Sequence, residues 1–361
     1  MQEPKEEEVK KAIGKLKNGK ATGEDGIPGE LLKYGGEILG QKITKIIQQI
    51  WLEELMPEGW SEAIYISLHK KGDRSICANY RGLSLLNTTH KVLANLLYEM
   101  LLPYYIDAIG NYQSGFIPSK STIDSIFILR HVNEKYREYD KQVWHFFIDF
   151  AQAYDSVHRD SLWNILRCFM VPEKLISTLR ACYRDTKGRV RVHGDLSEDF
   201  SITAGLKQGC PMSCLLFNFV LECVMRETPP ENDCITFTNG TTCDRLAYAD
   251  DVDLLGEGYV KRDTQISTFR AAGARAGLGV KEAKTKAMLA GRTARDVDYL
   301  DVGGMILEVV DAFKYLGSTE TSDNDMTHEI KLRIGAASKC SWSLNTILRS
   351  RMVTYRTKLN I

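Results

Sequence analysis

The stretch Leu246-Ala-Tyr-Ala-Asp-Asp-Val-Asp-Leu-Leu255 constrains this chain more than any other. Apolar residues flank two adjacent aspartates on both sides. If Asp250-Asp251 form a two-residue hairpin turn, both carboxylates stand at its tip and the arms lie in a sheet. Two neighbouring carboxylates repel each other unless a cation sits between them. Hard oxygen ligands of this kind suit Mg²⁺. On this stretch alone, a plain Asp-Asp surface turn is an equal alternative.

A second carboxylate shifts the balance. Trp144-His-Phe-Phe-Ile-Asp149-Phe reads as a strand with a single acid at its end. Alternation puts Val143, His145, Phe147 and Asp149 on one face. Three carboxylates meeting at a sheet end would hold two metals. Two metals about 3.5–4 Å apart can stabilise the attacking and leaving oxygens of an in-line phosphoryl transfer. Such chemistry needs little beyond positioning and charge neutralisation.

Composition sets the outer bounds. With 361 residues, 43% hydrophobic and 26% charged, the chain has ordinary globular composition and length for two to three structural units. Lys plus Arg and Asp plus Glu each number 47, so the net charge is zero. That zero is a sum of opposed patches. Residues 221–260 hold nine acids and two bases, and residues 328–361 hold seven bases and one acid. The nine cysteines are scattered, with no CxxC pair and no Cys/His cluster at zinc spacing. Reduced thiols in an intracellular protein are the expectation, with nucleus and cytoplasm equally open. The start of the chain lacks the apolar run of a secretory signal, and no stretch has the length of a membrane span.

The coarse pattern is α+β. Residues 5–17, 30–54, 90–102, 122–139, 160–169, 172–185 and 213–226 read as helices. Ser121 and Asp124 make a capping box for one of them. Residues 63–68 and 142–150 read as strands, and residues 188–203 as a hairpin turning near Gly194-Asp195. Lys70-Lys-Gly-Asp is a basic turn, and antiparallel pairs are expected between the helices.

These residues, in order along nearly the whole chain, resemble the reverse transcriptase domain of non-long-terminal-repeat (LINE-type) retrotransposons. The resemblance runs through Lys17-Asn-Gly-Lys-Ala-Thr-Gly-Glu-Asp-Gly-Ile-Pro, His69-Lys-Lys-Gly-Asp with Asn79-Tyr-Arg-Gly-Leu-Ser-Leu-Leu, and Gln113-Ser-Gly-Phe-Ile-Pro-Ser-Lys-Ser-Thr. It continues in Phe147-Ile-Asp-Phe-Ala-Gln-Ala-Tyr-Asp155, Gly205-Leu-Lys-Gln-Gly-Cys-Pro-Met-Ser213 and Tyr248-Ala-Asp-Asp251. Gly277-Leu-Gly-Val-Lys-Glu-Ala-Lys-Thr-Lys286 and Phe313-Lys-Tyr-Leu-Gly317 close the series.

The resemblance implies a right-hand polymerase with helical fingers, a ferredoxin-like antiparallel palm and a truncated helical thumb. Residues 1–48 would be an N-terminal fingers extension, 49–321 the reverse transcriptase domain and 322–361 the start of the thumb. Its activity would be RNA-directed DNA synthesis on an RNA template, adding dNTPs to a DNA primer with two Mg²⁺ ions. Asp149, Asp250 and Asp251 would carry the metals. Tyr154 would sit under the incoming sugar, where an aromatic ring leaves no room for a 2′-OH. Gln208 would line the nucleotide pocket. Lys70 or Lys71, with Arg81, would contact the triphosphate, and Lys284 would donate a proton to pyrophosphate.

Three positions depart from the family pattern. Ile117 stands where Arg is common, Ser119 where Gly is common, and Lys281 where Asn is common. Only 44 residues follow Gly317, fewer than a family thumb needs. Neither an endonuclease before the fingers nor a Cys/His knuckle after them is expected. Two other readings compete. One is an inactive retrotransposon relic that keeps the fold and at most binds nucleic acid. The other is an RNA-dependent RNA polymerase, against which Tyr154 and the Tyr-Ala-Asp-Asp hairpin both argue.

Overall fold

In the computed structural model, described for residues 1–359 except 71, 193, 229–234, 238, 239, 241 and 292–296, helices enclose one large sheet from two sides. The chain opens with α1 (Glu6–Gly14), α2 (Gly29–Tyr34) and α3 (Gly36–Glu53). The expected single helix over 30–54 is thus two helices. Gly35 ends the first near φ −73° and ψ 1°, and Gly36 takes φ 79°, a value that suits residues without Cβ.

Strands β1 (Glu62–His69) and β2 (Tyr80–Leu86) pair antiparallel, so that Leu68 faces Arg81. Helix α4 (Thr88–Ala108) and α5 (Thr122–Glu138) follow. The capping box at the start of α5 is present, with the Ser121 N–H donating to Asp124 Oδ2 at 2.6 Å. Next come β3 (Val143–Ile148), the single turn α6 (Ala153–Ser156), α7 (Arg159–Cys168) and α8 (Glu173–Ala181).

Strand β4 (Lys187–Val192) pairs antiparallel with the short β5 (Asp195–Leu196) and β6 (Phe200–Ser201). The β4–β5 pair closes between Val192 and Asp195, close to the expected place. Unexpectedly, β4 also pairs parallel with β1. Sequence patterning gives strand character but not the distant partner, so this pairing has no local signal.

Helix α9 (Ser213–Glu227) leads to the small β7 (Ile235–Thr236) and β8 (Thr242–Cys243) pair. The remaining elements are β9 (Arg245–Tyr248), β10 (Asp251–Gly256), α10 (Tyr259–Arg275), β11 (Lys286–Ala290), β12 (Tyr299–Val302) and β13 (Met305–Val309). The hairpin β14 (Ala312–Tyr315) and β15 (Ser318–Thr321), the long α11 (Thr327–Arg349) and the short α12 (Tyr355–Leu359) come last.

The six-stranded sheet has the order β12-β13-β11-β3-β10-β9. It is antiparallel except for the parallel β11–β13 pair. All six residues of β3 are buried. Both faces of the sheet are therefore covered, which is why the strand is almost continuously apolar. Trp144, Phe146, Ile148, Val252 and Leu254 enter the large core shared with α4, α7, α9 and α10. The opposite face sends Val143, Phe147, Leu246, Leu255 and Met288 into a second core under α5, where Leu129 and Val132 meet them. Phe147 stacks on Phe313 with ring centroids 4.1 Å apart. Truncating such a buried ring to alanine typically costs about 3–5 kcal/mol.

One polar cluster interrupts the second core. His145 Nδ1 lies 2.7 Å from Asp253 Oδ2, and His145 Nε2 lies 2.8 Å from Asn133 Oδ1. All three side chains are buried, and the cluster ties β3, β10 and α5 together.

The candidate active site

Asp149 leaves the end of β3 on the face that carries His145 and Phe147, as alternation predicts. A short segment clamps it there. The Asp149 N–H donates to Thr285 Oγ1 at 3.2 Å, and the Asp149 carbonyl accepts from the Lys281 N–H at 2.7 Å. The Ala151 N–H reaches the Gly279 carbonyl at 2.8 Å. One oxygen of Asp149, Oδ2, is buried with no hydrogen-bond partner. The Lys284 ammonium lies 3.3 Å from it, at ion-pair distance without hydrogen-bond geometry.

The acidic hairpin differs from its expected form by one residue. Asp251 pairs with Tyr248 across the ladder, so the two-residue turn is Ala249-Asp250, not Asp250-Asp251. Either turn would leave Val252, Leu254 and Ala247 on the face of the large core, so the apolar pattern does not choose between them. Ala249 takes φ 54°. Positive φ at the first central residue is the pattern of a type II′ hairpin turn. Asp250 therefore projects from the turn itself, and Asp251 begins the strand.

These elements line one cavity of about 820 Å³. Its walls include Asp149, Asp250, Asp251, Tyr154, Gln208, Lys70, Arg81 and Lys284. Eight of the nine residues singled out in the sequence thus come together; the ninth, Lys71, lies outside the described residues. The cavity is charged in two halves. Enclosure, and then the charge of Asp149, raise the Asp250 carboxyl above its ordinary value, with Arg81 and Lys70 pulling the other way. The Asp251 carboxyl is pushed up to about 6, first by partial enclosure against the cavity wall and then by Asp250 and Asp149. Opposite them, Lys70 and Arg81 make no ion pair among the described residues.

Among the described residues, no three His, Cys, Asp or Glu side chains converge closely enough to form a metal cage by themselves. The three aspartates share a cavity and each other's field rather than a closed ligand set. Their fit to a hard cation rests on the all-oxygen donors, the partnerless buried oxygen of Asp149 and the ammonium drawn to it.

Tyr154 packs its ring on Phe217, with centroids 4.5 Å apart. Burial, with Cys214 and Asp250 adding to it, raises its hydroxyl pKa. The following residue, Asp155, carries no expected role in the sequence. Gln208 Nε2 donates to both of its carboxylate oxygens at 3.0 Å. That fixes which end of the Gln208 amide faces Asp155 and leaves Oε1 without a partner among the described residues. Gly205 lets this loop approach: at φ 78°, a Cβ there would lie 2.4 Å from the Asp155 carbonyl oxygen. Deeper in the loop, Lys207 is buried. Its Nζ donates to the Cys182 carbonyl at 3.0 Å, and its charge lies over the Tyr183 ring.

The departures from the family pattern also have places. Ile117 packs on the large core. Ser119 takes φ 68°, the left-handed region that glycine adopts most readily. Lys281 lines the cavity beside Asp149.

The family model described as "Reverse transcriptase (RNA-dependent DNA polymerase)" matches residues 68–319. The chain is 23% identical over 302 residues to the Transposon TX1 uncharacterized 149 kDa protein of Xenopus laevis, a match covering 81% of this chain and 22% of that protein. It is 25% identical over 341 residues to the putative 115 kDa protein in type-1 retrotransposable element R1DM of Drosophila melanogaster, covering 90% of this chain and 31% of the relative. It is also 24% identical over 322 residues to the RNA-directed DNA polymerase from mobile element jockey of Drosophila funebris, covering 86% and 34%. The chain thus spans between about a fifth and a third of the length of these relatives. With a palm sheet, the acidic hairpin and a match over most of its length, this chain belongs to the reverse transcriptase (RNA-dependent DNA polymerase) family, among the proteins of non-long-terminal-repeat retrotransposons.

Proposed function

We propose that this chain is an RNA-directed DNA polymerase that extends a DNA primer on an RNA template with dNTPs. One observation carries the proposal: Asp149, Asp250 and Asp251 share a cavity with the cations Lys70, Arg81 and Lys284 and with Tyr154 and Gln208. Residues 1–48 serve as an extension of the fingers, 49–321 as fingers and palm around a ferredoxin-like antiparallel core, and 322–361 as the start of a thumb.

Each half of the cavity has a task. The three aspartates would hold two Mg²⁺ ions, which when bound neutralise charge on the attacking and leaving oxygens. Lys70 and Arg81 bind the triphosphate, Arg81 through its planar fork. Tyr154, held flat against Phe217, fills the space that a ribose 2′-OH would need. Gln208 presents an acceptor to the sugar, with its nitrogen committed to Asp155. Lys284, beside Asp149, is placed to give a proton to the departing pyrophosphate.

Primer extension on an RNA template tests this. We expect Mg²⁺-dependent synthesis that Asp250→Asn reduces on the order of 10³-fold. Extension unchanged by that substitution would sink the assignment. A folded wild-type protein with no extension would favour an inactive relic. Replacing Tyr154 by Val should cut discrimination against ribonucleotides by roughly 10- to 200-fold, the scale of a small steric contact. Single-nucleotide incorporation with paired dNTP and rNTP reads this directly.

A further inference from the structure

The turn that carries Asp250 is held from outside its own hairpin. Strand β9 is the edge of the large sheet, and the segment from Tyr112 to Gly115 runs along it. Ala247 donates to the Tyr112 carbonyl at 2.9 Å, and Ser114 donates to the Ala247 carbonyl at 2.8 Å. Gln113 then reaches past the end of the strand. Its Oε1 accepts the Ala249 N–H at 2.9 Å and the Gly115 N–H at 2.7 Å. Two donors fill both lone pairs of that oxygen. The side chain is only 2% exposed, so water does not compete for it.

The support behind Gln113 is itself fixed. The Gly115 carbonyl accepts from Tyr105 Oη at 3.1 Å and from Asn218 Nδ2 at 2.9 Å. Asn218 Nδ2 also reaches Tyr105 Oη at 2.7 Å. These residues belong to α4 and α9, in the large core. A chain of hydrogen bonds therefore runs from the core helices through Gly115 and Gln113 to Ala249, whose φ of 54° is unusual for a residue with a side chain. Asp250 is the next residue.

We propose that Gln113 is the positioning residue of the acidic turn: by holding the Ala249 N–H, its side-chain oxygen fixes where the Asp250 carboxylate enters the cavity. Gln113 does not line the cavity and touches no reactant. The proposal rests on the polymerase reading above for its kinetic consequence, but not for its effect on cation binding.

The test compares Gln113→Leu, which keeps the bulk and loses the acceptor, with Gln113→Glu, which keeps an acceptor. Two readouts are taken on the full chain: the Mg²⁺ concentration at the midpoint of its effect on Tm, and primer extension. The Leu variant should raise the Mg²⁺ midpoint and lower kcat by about 10- to 100-fold, the range for residues that orient ligands, with dNTP KM changed by less than about threefold. The Glu variant should restore both to within about threefold of wild type. If Gln113→Leu leaves the midpoint and kcat unchanged, or if Glu is as damaging as Leu, the proposal fails. If the wild type shows the Mg²⁺ effect and the Leu variant shifts it, but no variant extends a primer, the positioning role stands and the polymerase reading falls. Should the Leu variant not melt cooperatively, Gly115→Ala replaces it. A Cβ there would lie 2.4 Å from the Ala249 nitrogen. It must reproduce the Mg²⁺ defect with Gln113 intact, or the proposal is overturned.

Discussion

At Asp251 the fold holds a carboxyl whose proton leaves only near pH 6. A carboxyl raised above its unfolded value contributes its full stability below that value, about 3.9, and loses it as pH rises through the folded one. Without a divalent cation, this group should therefore weaken the fold between about pH 4 and 6. A cation that binds the ionised form reverses the penalty. We expect Mg²⁺ to raise Tm more at about pH 7.5 than at about pH 5. Equal shifts at both would mean that the ion is held elsewhere. Ser119 offers a second test, because its φ of 68° favours glycine. Ser119→Gly should stabilise the protein by about 0.5–1 kcal/mol in chemical denaturation, the gain from relieving a left-handed residue less the entropy that glycine gives up. Single residues are readable in the sequence where the chemistry is local, as for the three aspartates and Tyr154. Gln113 lies within a recognisable motif but shows no role there, because its partner Ala249 is 136 positions away.

Among the elements, β3 and β10 are legible and their pairing consequences are not. The aromatic and β-branched run from Val143 to Ile148 marks a strand, and Ser121 with Asp124 marks the start of α5. In contrast, β2 has no strand assignment in the sequence and shows itself only through its pairing with β1. The parallel pairs β1–β4 and β11–β13 depend on partners that no short window contains. The acidic turn sits one residue earlier than the two aspartates suggest for a related reason: either turn keeps Val252 and Leu254 on the core face, and the bond that holds the observed one, from the Ala249 N–H to Gln113, lies outside any short window. The buried His145–Asp253 contact joins the two central strands at 2.7 Å. His145→Phe would leave Asp253 buried without it, and burial already raises that carboxyl. We expect a loss of about 3 kcal/mol, the scale for breaking a buried pair. A denaturation midpoint within error of wild type would show that the pair adds nothing.

For the molecule as a whole, net charge zero conceals a division of labour. The acid-rich stretch 221–260 supplies the hairpin of the cavity, and the base-rich stretch 328–361 forms α11 and the residues after it. Lys331 and Lys339 are exposed on α11 and make no ion pair among the described residues. If this helix lies against a primer–template duplex, converting both to Gln should reduce the slope of log affinity against log salt by about 0.9 for each phosphate that is no longer neutralised. An unchanged slope would place the duplex elsewhere. The central sheet has a further consequence, in time rather than space. Asp149 is clamped by Thr285, 136 residues later in the chain. At about 5–20 residues per second, a ribosome needs roughly 7–27 s to cover that interval. The apolar strand ending in Asp149 waits through most of it for β10, which ends at Gly256, and through all of it for β11, which begins at Lys286. A growing chain must keep that strand from pairing wrongly, so this protein should depend on chaperones during synthesis more than a domain of equal size built from local contacts.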